Sequence, residues 1–263
     1  MLELKNVHKT FFPNSINERV ALSNINLDLN DGDFVTVIGS NGAGKSTVLN
    51  TVAGKISPDT GTVNIAGRNV TRLKDFKRAK YVGRVFQDPM AGTAPDLTIE
   101  QNMALAERRG MSRGLAFGIT KAKRLRFAEE LELLELGLEK RLSAKVGLLS
   151  GGQRQALSLL MATFSKPKIL LLDEHTAALD PERARLVTDL TEKVVAEQKL
   201  TTLMVTHNMG QALEVGNRLI MMHDGEIILD VSGEEKSSMT VEDLLAQFAN
   251  IKNATVSDRT LLQ

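Results

Sequence analysis

The chain has 263 residues, 42% hydrophobic and 25% charged, with a net charge of +1; this suits one large α/β domain, or one with an inserted or appended lobe, and excludes a disordered or fibrous chain. A charge so near zero argues against a chain devoted to nucleic acid, and the absence of cysteine removes disulfides and thiolate metal sites. No segment approaches the roughly 18 continuous apolar residues of a bilayer span, and Met1-Leu2-Glu3-Leu4-Lys5 lacks the regions of a signal peptide, so any membrane role is expected to run through partners.

Residues 2 to 38 show period-two alternation, with Leu2 and Leu4, then Ile25, Leu27 and Leu29 separated by Asn26 and Asp28. The pattern predicts half-buried antiparallel strands, with Asp31-Gly32-Asp33 as a turn. Phe11 and Phe12 lie between the first strands, where an aromatic ring suits either stacking on adenine or a turn or core position. The apolar run Phe34-Val35-Thr36-Val37-Ile38 reads as a buried strand. It leads into Gly39-Ser40-Asn41-Gly42-Ala43-Gly44-Lys45-Ser46-Thr47, which fits the phosphate-binding pattern G-x-x-x-x-G-K-[ST]. Val48, Leu49, Val52 and Ala53 then repeat at helical spacing. In that strand-loop-helix setting the loop N–H groups face one concavity at the positive end of a helix, where phosphates bind. Lys45 would reach the β- and γ-phosphates and the Ser46 hydroxyl would coordinate Mg2+.

A further alternating piece, Gly61-Thr62-Val63-Asn64-Ile65, places a small β-subdomain beside this core. Between Gln87 and Leu149 the pattern turns helical, with a short helix from Leu97 to Ala106. A second helix is marked by Leu125, Ala128, Leu131, Leu134 and Leu138 at three- and four-residue intervals. A basic run, Arg108, Arg109, Arg113, Lys121, Lys123, Arg124 and Arg126, reads either as solvated surface or as attraction to anionic headgroups beneath a membrane partner.

From residue 168 the α/β pattern returns. Ile169-Leu170-Leu171-Leu172 and Thr202-Leu203-Met204-Val205-Thr206 are runs of the kind central parallel strands carry, joined by a crossover helix from Pro181 to Lys199. Open α/β sheets bind ligands at the carboxyl ends of their strands, so Asp173, Glu174 and His207 are set to meet the phosphate loop. Asp173 is expected to hold Mg2+ and Glu174 to orient or deprotonate the attacking water. His207 could hold the γ-phosphate and that water in line, although a lone histidine after a strand also suits a structural role. The amide of Gln87 could bridge Mg2+ and the lytic water. Asp224-Gly225 marks a hairpin between Leu219 to Met222 and Ile227 to Leu229. In the tail, Thr240 can cap a helix with Asp243 at its third position and Val241, Leu244, Leu245 and Phe248 as its stripe, ahead of a frayed end at 253–263.

Leu149-Ser150-Gly151-Gly152-Gln153 precedes a helix whose N-terminus offers a second anion site. Here the chain resembles the ATP-binding subunit of ABC transporters, whose LSGGQ signature is matched residue for residue. The resemblance covers about residues 1 to 230 in the family's order: phosphate loop, glutamine loop at Gln87, signature, acidic strand end at Asp173 and Glu174, D-loop at Ala178-Leu179-Asp180, and switch histidine His207. It implies an α/β fold: a P-loop core with a mostly parallel sheet, an antiparallel β-subdomain, a helical subdomain inserted at about 88–150, and a C-terminal helical extension over 231–263. It further implies that two copies sandwich two ATP molecules, each with Mg2+, and that Ser150, Gly151, Gly152, Gln153 and Asp180 of one copy close on the nucleotide of the other.

The resemblance also makes Phe11 the adenine-stacking ring and the helical lobe the surface that meets a transmembrane permease. The terminal stretch Met239 to Leu245, together with His175 and the linker from Gly83 to Asp96, looks like a bacterial subgroup encoded with a permease and a substrate-binding lipoprotein, which suggests import of small molecules such as amino acids. The chain would then lie at the cytoplasmic face of the plasma membrane, with no nucleic-acid partner. The rival is a soluble ABC-type ATPase, for example of cluster assembly; a phosphoryl-transferring kinase leaves Leu149 to Gln153 unexplained. Two departures stand out: His175 where most members carry proline, and a less regular linker from Gly83 to Asp96. Proline there is a backbone device rather than a reactant, so hydrolysis is expected to survive the change.

Overall fold

The computed structural model describes residues 1–111 and 118–249. Arg113 of the basic run and the end at 253–263 lie outside the described residues. Strand β1 (Leu2–Phe11) pairs antiparallel with β2 (Arg19–Leu29) on one side and β4 (Thr60–Ile65) on the other, and β5 (Arg68–Asn69) completes a four-stranded sheet. The alternating residues Leu2, Leu4, Ile25, Leu27 and Leu29 all point inward and are buried. The N-terminal antiparallel stretch ends at Leu29, short of the residue 38 that the alternation predicts. Strand β3 (Phe34–Gly39) belongs to a second sheet and is buried on both faces, as its unbroken apolar run demands.

The second sheet has the order β10-β9-β3-β8-β7-β6. Its members are β3, β6 (Val82–Val85), β7 (Ile169–Asp173), β8 (Thr201–Val205) and β9 (Arg218–His223), all parallel, with β10 (Glu226–Ser232) returning antiparallel. Asp224 and Gly225, both at positive φ, form the two-residue turn between β9 and β10. Alternation along β7 divides the core. Ile169 and Leu171 face helix α1 (Lys45–Ala53) and the antiparallel sheet, whereas Leu170 and Leu172 face helices on the other side.

A short helix, α2 (Asp75–Arg78), ends in an arginine that serves α1 rather than its own helix. Arg78 is 1% exposed; its Nη1 donates to the carbonyls of Thr51 and Val52 at 2.6 and 3.0 Å, in the last turn of α1. Its Nε and Nη2 donate to Leu73 and Thr71, each at 2.9 Å. Burial pulls its pKa down to about 10, so it remains charged at neutral pH. Arg78→Leu strands these carbonyls in the interior and is expected to cost about 3 kcal/mol. Urea unfolding checks this through a lower midpoint at unchanged slope.

Helices α3 (Ile99–Glu107), α4 (Lys121–Glu132), α5 (Gly151–Thr163) and α6 (Pro181–Gln198) cover the other face. Thr98 caps α3 in a reciprocal box with Gln101, and the helix begins at Ile99, two residues later than the sequence reading placed its start. Helix α4 is shorter than its leucine pattern predicts. It stops at Glu132, and the chain turns through Glu135 and Gly137, both at positive φ, into a single turn from Leu138 to Arg141. Phe127 and Leu131 form its buried face, four residues apart, while Leu134 and Leu138 reach the same core from the turn. Leu125 lies off that face and is 65% exposed.

At the C-terminal side, α7 (Met209–Glu214), α8 (Gly233–Ser238) and helix α9 (241–249) pack beside β9 and β10, with Leu244 buried against Ile38, Leu219 and Met221. Thr240 and Asp243 exchange capping bonds at the start of α9. Phe248 packs partly against the same cluster and Leu245 stays exposed. Lys236 of α8 is buried, and its ammonium donates to the carbonyls of Val215 and Gly216 at 2.5 and 2.8 Å, just past α7. No described helix is long and apolar enough to cross a membrane.

Candidate nucleotide-binding site

The loop from Gly39 to Gly44 joins the carboxyl end of β3 to α1, with no room for side chains at two of its glycines. A Cβ at Gly39 would sit 2.3 Å from the Met222 carbonyl oxygen. One at Gly44, where φ is 100°, would sit 2.4 Å from that of Ala21. Lys45 is 5% exposed, and its ammonium donates to the carbonyls of Gly39 and Ser40 at 2.7 and 2.9 Å. Burial pulls its pKa down, while the charge of Glu174 opposes that shift. The loop and the antiparallel sheet enclose a cleft of about 190 Å³, lined by Asn41, Gly42, Lys45, Ser46 and Thr47 together with Phe11, Glu174 and His207. Gly39, Ser40 and Ala43 belong to the loop but do not line the cleft; Ala43 is buried and donates its N–H to Ser40 O.

Residues from three strands meet here because β3, β8 and β7 are parallel neighbours with their carboxyl ends at one edge. Asp173 ends β7. Glu174 follows at φ 47°, an uncommon conformation for a residue with a side chain, fixed by its N–H donating to Val205 O at 3.0 Å. His207 Nε2 lies 2.5 Å from Glu174 Oε1, an ion pair when the ring is protonated. The segments carrying both residues are tied to α6 through Gln211. Its Oε1 accepts from the Thr206 hydroxyl at 2.7 Å, and its Nε2 donates to Thr188 Oγ1 and Thr176 Oγ1 at 2.8 and 3.3 Å.

His175 points away from the cleft. It is 1% exposed, with Nε2 3.1 Å from Thr191 Oγ1, and the Thr191 hydroxyl donates to Val187 O. The bond to Thr191 therefore assigns the proton to Nε2, and burial pulls the ring pKa down to about 4, leaving a neutral imidazole. The residue in the usual proline position is thus packed against α6 rather than directed at the reacting groups.

Of the two candidate aromatics, Phe11 lines the cleft, whereas Phe12 is 68% exposed and does not. Gln87 is exposed just past β6 and is not brought to the cleft. Ser150 and Gln153 are spent on a reciprocal capping box at the start of α5, with bonds of 3.3 and 3.2 Å. The first-turn N–H groups of Gly151 and Gly152 have no acceptor within the helix. Asp180 caps α6 by accepting from the Arg183 N–H at 3.1 Å. None of these five residues lines the cleft of its own chain.

One cleft residue and one partner of Asp173, which itself does not line the cleft, escape a sequence reading. Arg19 of β2 lines the cleft, and its Nη2 donates to Gly42 O at 2.7 Å. Arg84 of β6 pairs with Asp173 at 2.7 Å. Neither falls in a motif. The signal available for Arg84 was a charge interrupting the apolar run Val82 to Phe86, three residues before Gln87.

The fold and cleft define a P-loop nucleotide-binding ATPase. The family model described as ABC transporter matches residues 22–177. A tyrosine transport ATP-binding protein of Clostridioides difficile is 47% identical over 94% of this chain and 98% of its own length. The methionine import ATP-binding protein MetN of Brucella abortus is 36% identical over 86% of this chain and 58% of its own length. Among solved structures, a dimeric ATP-binding cassette in a post-hydrolysis state with ADP and Pi superimposes with a TM-score of 0.75. It is 33% identical, over 88% of this chain and 98% of that one. The chain belongs to the ABC transporter family, as an ATP-binding and ATP-hydrolysing subunit.

Proposed function

We propose that this subunit powers an amino-acid importer, working as a head-to-tail pair of copies on a membrane permease. The observation that carries the catalytic part is the contact of Glu174 with His207 in the cleft that holds buried Lys45. Glu174 is placed to orient and deprotonate a water, and His207 to hold that water and the γ-phosphate in line. Phe11 stacks on adenine. Lys45 and the loop N–H groups bind the phosphates.

Ser46 and Asp173 offer a hydroxyl and a carboxylate oxygen, and the described residues contain no cluster of three or more acidic or histidine ligands. Such a donor set suits Mg2+, which is bound by one or two protein oxygens together with ATP phosphates. When bound, the ion neutralises charge that develops on the transferred phosphoryl group. Gln87 serves this site only after moving in from its exposed position beyond β6.

The free N–H groups of Gly151 and Gly152 lie outside their own chain's cleft, which supports a second copy as the owner of the nucleotide they complete. A groove of about 1400 Å³ beside α2 and α3 exposes Phe76 and Leu105 by 63% and 60%, among Lys77, Lys80 and Arg108. It supports docking of a permease at the cytoplasmic face of the membrane. The amino-acid cargo rests on the two relatives named for tyrosine and methionine transport. Co-expression with the adjacent genes tests the whole reading. A permease is expected to co-purify, and hydrolysis in proteoliposomes should rise when an amino-acid-loaded binding protein is added. Purification without any membrane partner would move the chain to the soluble ATPases.

A further inference from the structure

Arg84 stands where three elements meet. On β6 it pairs in register with Leu171 of β7, so its side chain shares the α1-facing side of the sheet with Asp173, two residues further on. Its Nη2 donates to Asp173 Oδ2 at 2.7 Å and its Nη1 to Asn50 Oδ1 of α1 at 2.7 Å. The guanidinium carbon lies 4.8 Å from the centre of the Phe86 ring. The Arg84 and Asp173 side chains are 11% and 18% exposed, so water screens the pair only in part.

On the reading that Asp173 and Ser46 hold Mg2+ with ATP, we infer that Arg84 is a positioning residue that sets how much Mg2+ the site requires. It is a resident cation on the proposed metal-holding carboxylate, and it fixes that carboxylate relative to the phosphate-loop helix. Its positive charge would share that carboxylate with the ion and oppose it. Without nucleotide it neutralises Asp173, which would otherwise be a poorly solvated anion at a strand end. Once Mg2+ and ATP arrive, the same charge raises the ion concentration needed to fill the site. The contact with Asn50 joins this control to α1, which carries Lys45 and Ser46, and β6 leads within three residues to Gln87.

The test uses the purified full chain with a non-hydrolysable ATP analogue, following the rise in Tm as Mg2+ is titrated. Arg84→Met is expected to lower the Mg2+ midpoint about tenfold. Arg84→Lys, which keeps the charge, should stay within about twofold of the parent. In EDTA the analogue should shift the Tm of all three proteins equally. Equal Mg2+ midpoints in parent and Arg84→Met, or a Mg2+ midpoint displaced equally in the Lys and Met variants, would overturn the inference. If Arg84→Met does not fold, Arg84→Gln replaces it; failure of both, with Arg84→Lys folding normally, assigns the pair to the fold alone and also overturns it. A parent protein whose nucleotide response ignores Mg2+ sinks the metal reading instead, which separates the two failures.

Discussion

Glu174→Gln will leave ATP binding intact and reduce steady-state hydrolysis by about a hundredfold or more. The amide keeps the volume and one hydrogen-bonding oxygen of the carboxylate, so the cleft and the His207 contact at 2.5 Å keep their shape. It cannot accept the proton of an attacking water, and that is the function proposed for Glu174. Since Glu174 is held at positive φ by Val205, the backbone geometry is set by the strand rather than by the side chain's charge. On the proposed pairing of two copies, the variant should also persist as an ATP-bound dimer in size-exclusion chromatography. Near-normal turnover would remove Glu174 from its assigned role.

Lys45→Ala acts one step earlier, on binding. The ammonium is nearly enclosed and already oriented by the carbonyls of Gly39 and Ser40. It meets phosphate with little reorganisation and forms charge-assisted bonds of about 1.5–3 kcal/mol in net terms. Loss of that interaction corresponds to ATP binding weaker by about 10- to 100-fold, measurable with a fluorescent nucleotide. Unlike Arg78→Leu, the substitution removes a buried cation whose partners lie in a solvent-open loop, so the urea midpoint should move little. An unchanged nucleotide affinity would show that the loop N–H groups hold the phosphates alone.

Much of the architecture was legible from pattern. Unbroken apolar runs marked β3, β7 and β8 because a strand covered on both faces has no polar side, and alternation marked β1 and β2 because their sheet has one covered face. Ser150 and Thr240 located two helix starts, since each satisfies an N–H that the helix cannot, whereas the caps at Thr98 and Asp180 emerged only from the structure. The end of α4 was not legible. Leu134 and Leu138 keep helical spacing by coincidence of a turn, and only the positive φ of Glu135 and Gly137 shows that the chain has left the helix. Leu125 was misread for the same reason: spacing names a set of residues but not which of them faces the core.

The sequence by itself determined that a nucleotide binds here, because the phosphate loop needs only backbone geometry and one lysine, both set by contiguous residues Gly39 to Thr47. It also identified the signature from Leu149 to Gln153 and hence the family resemblance. The tertiary structure alone decided which distant groups share the cleft. It selected Phe11 over Phe12, turned His175 away into α6, brought His207 onto Glu174, and placed Arg84 on Asp173 from a strand 89 residues earlier in the chain. Charge pairs of that kind leave no local trace, because each partner sits in its own strand for reasons of register. They meet only when the sheet order sets β6 beside β7.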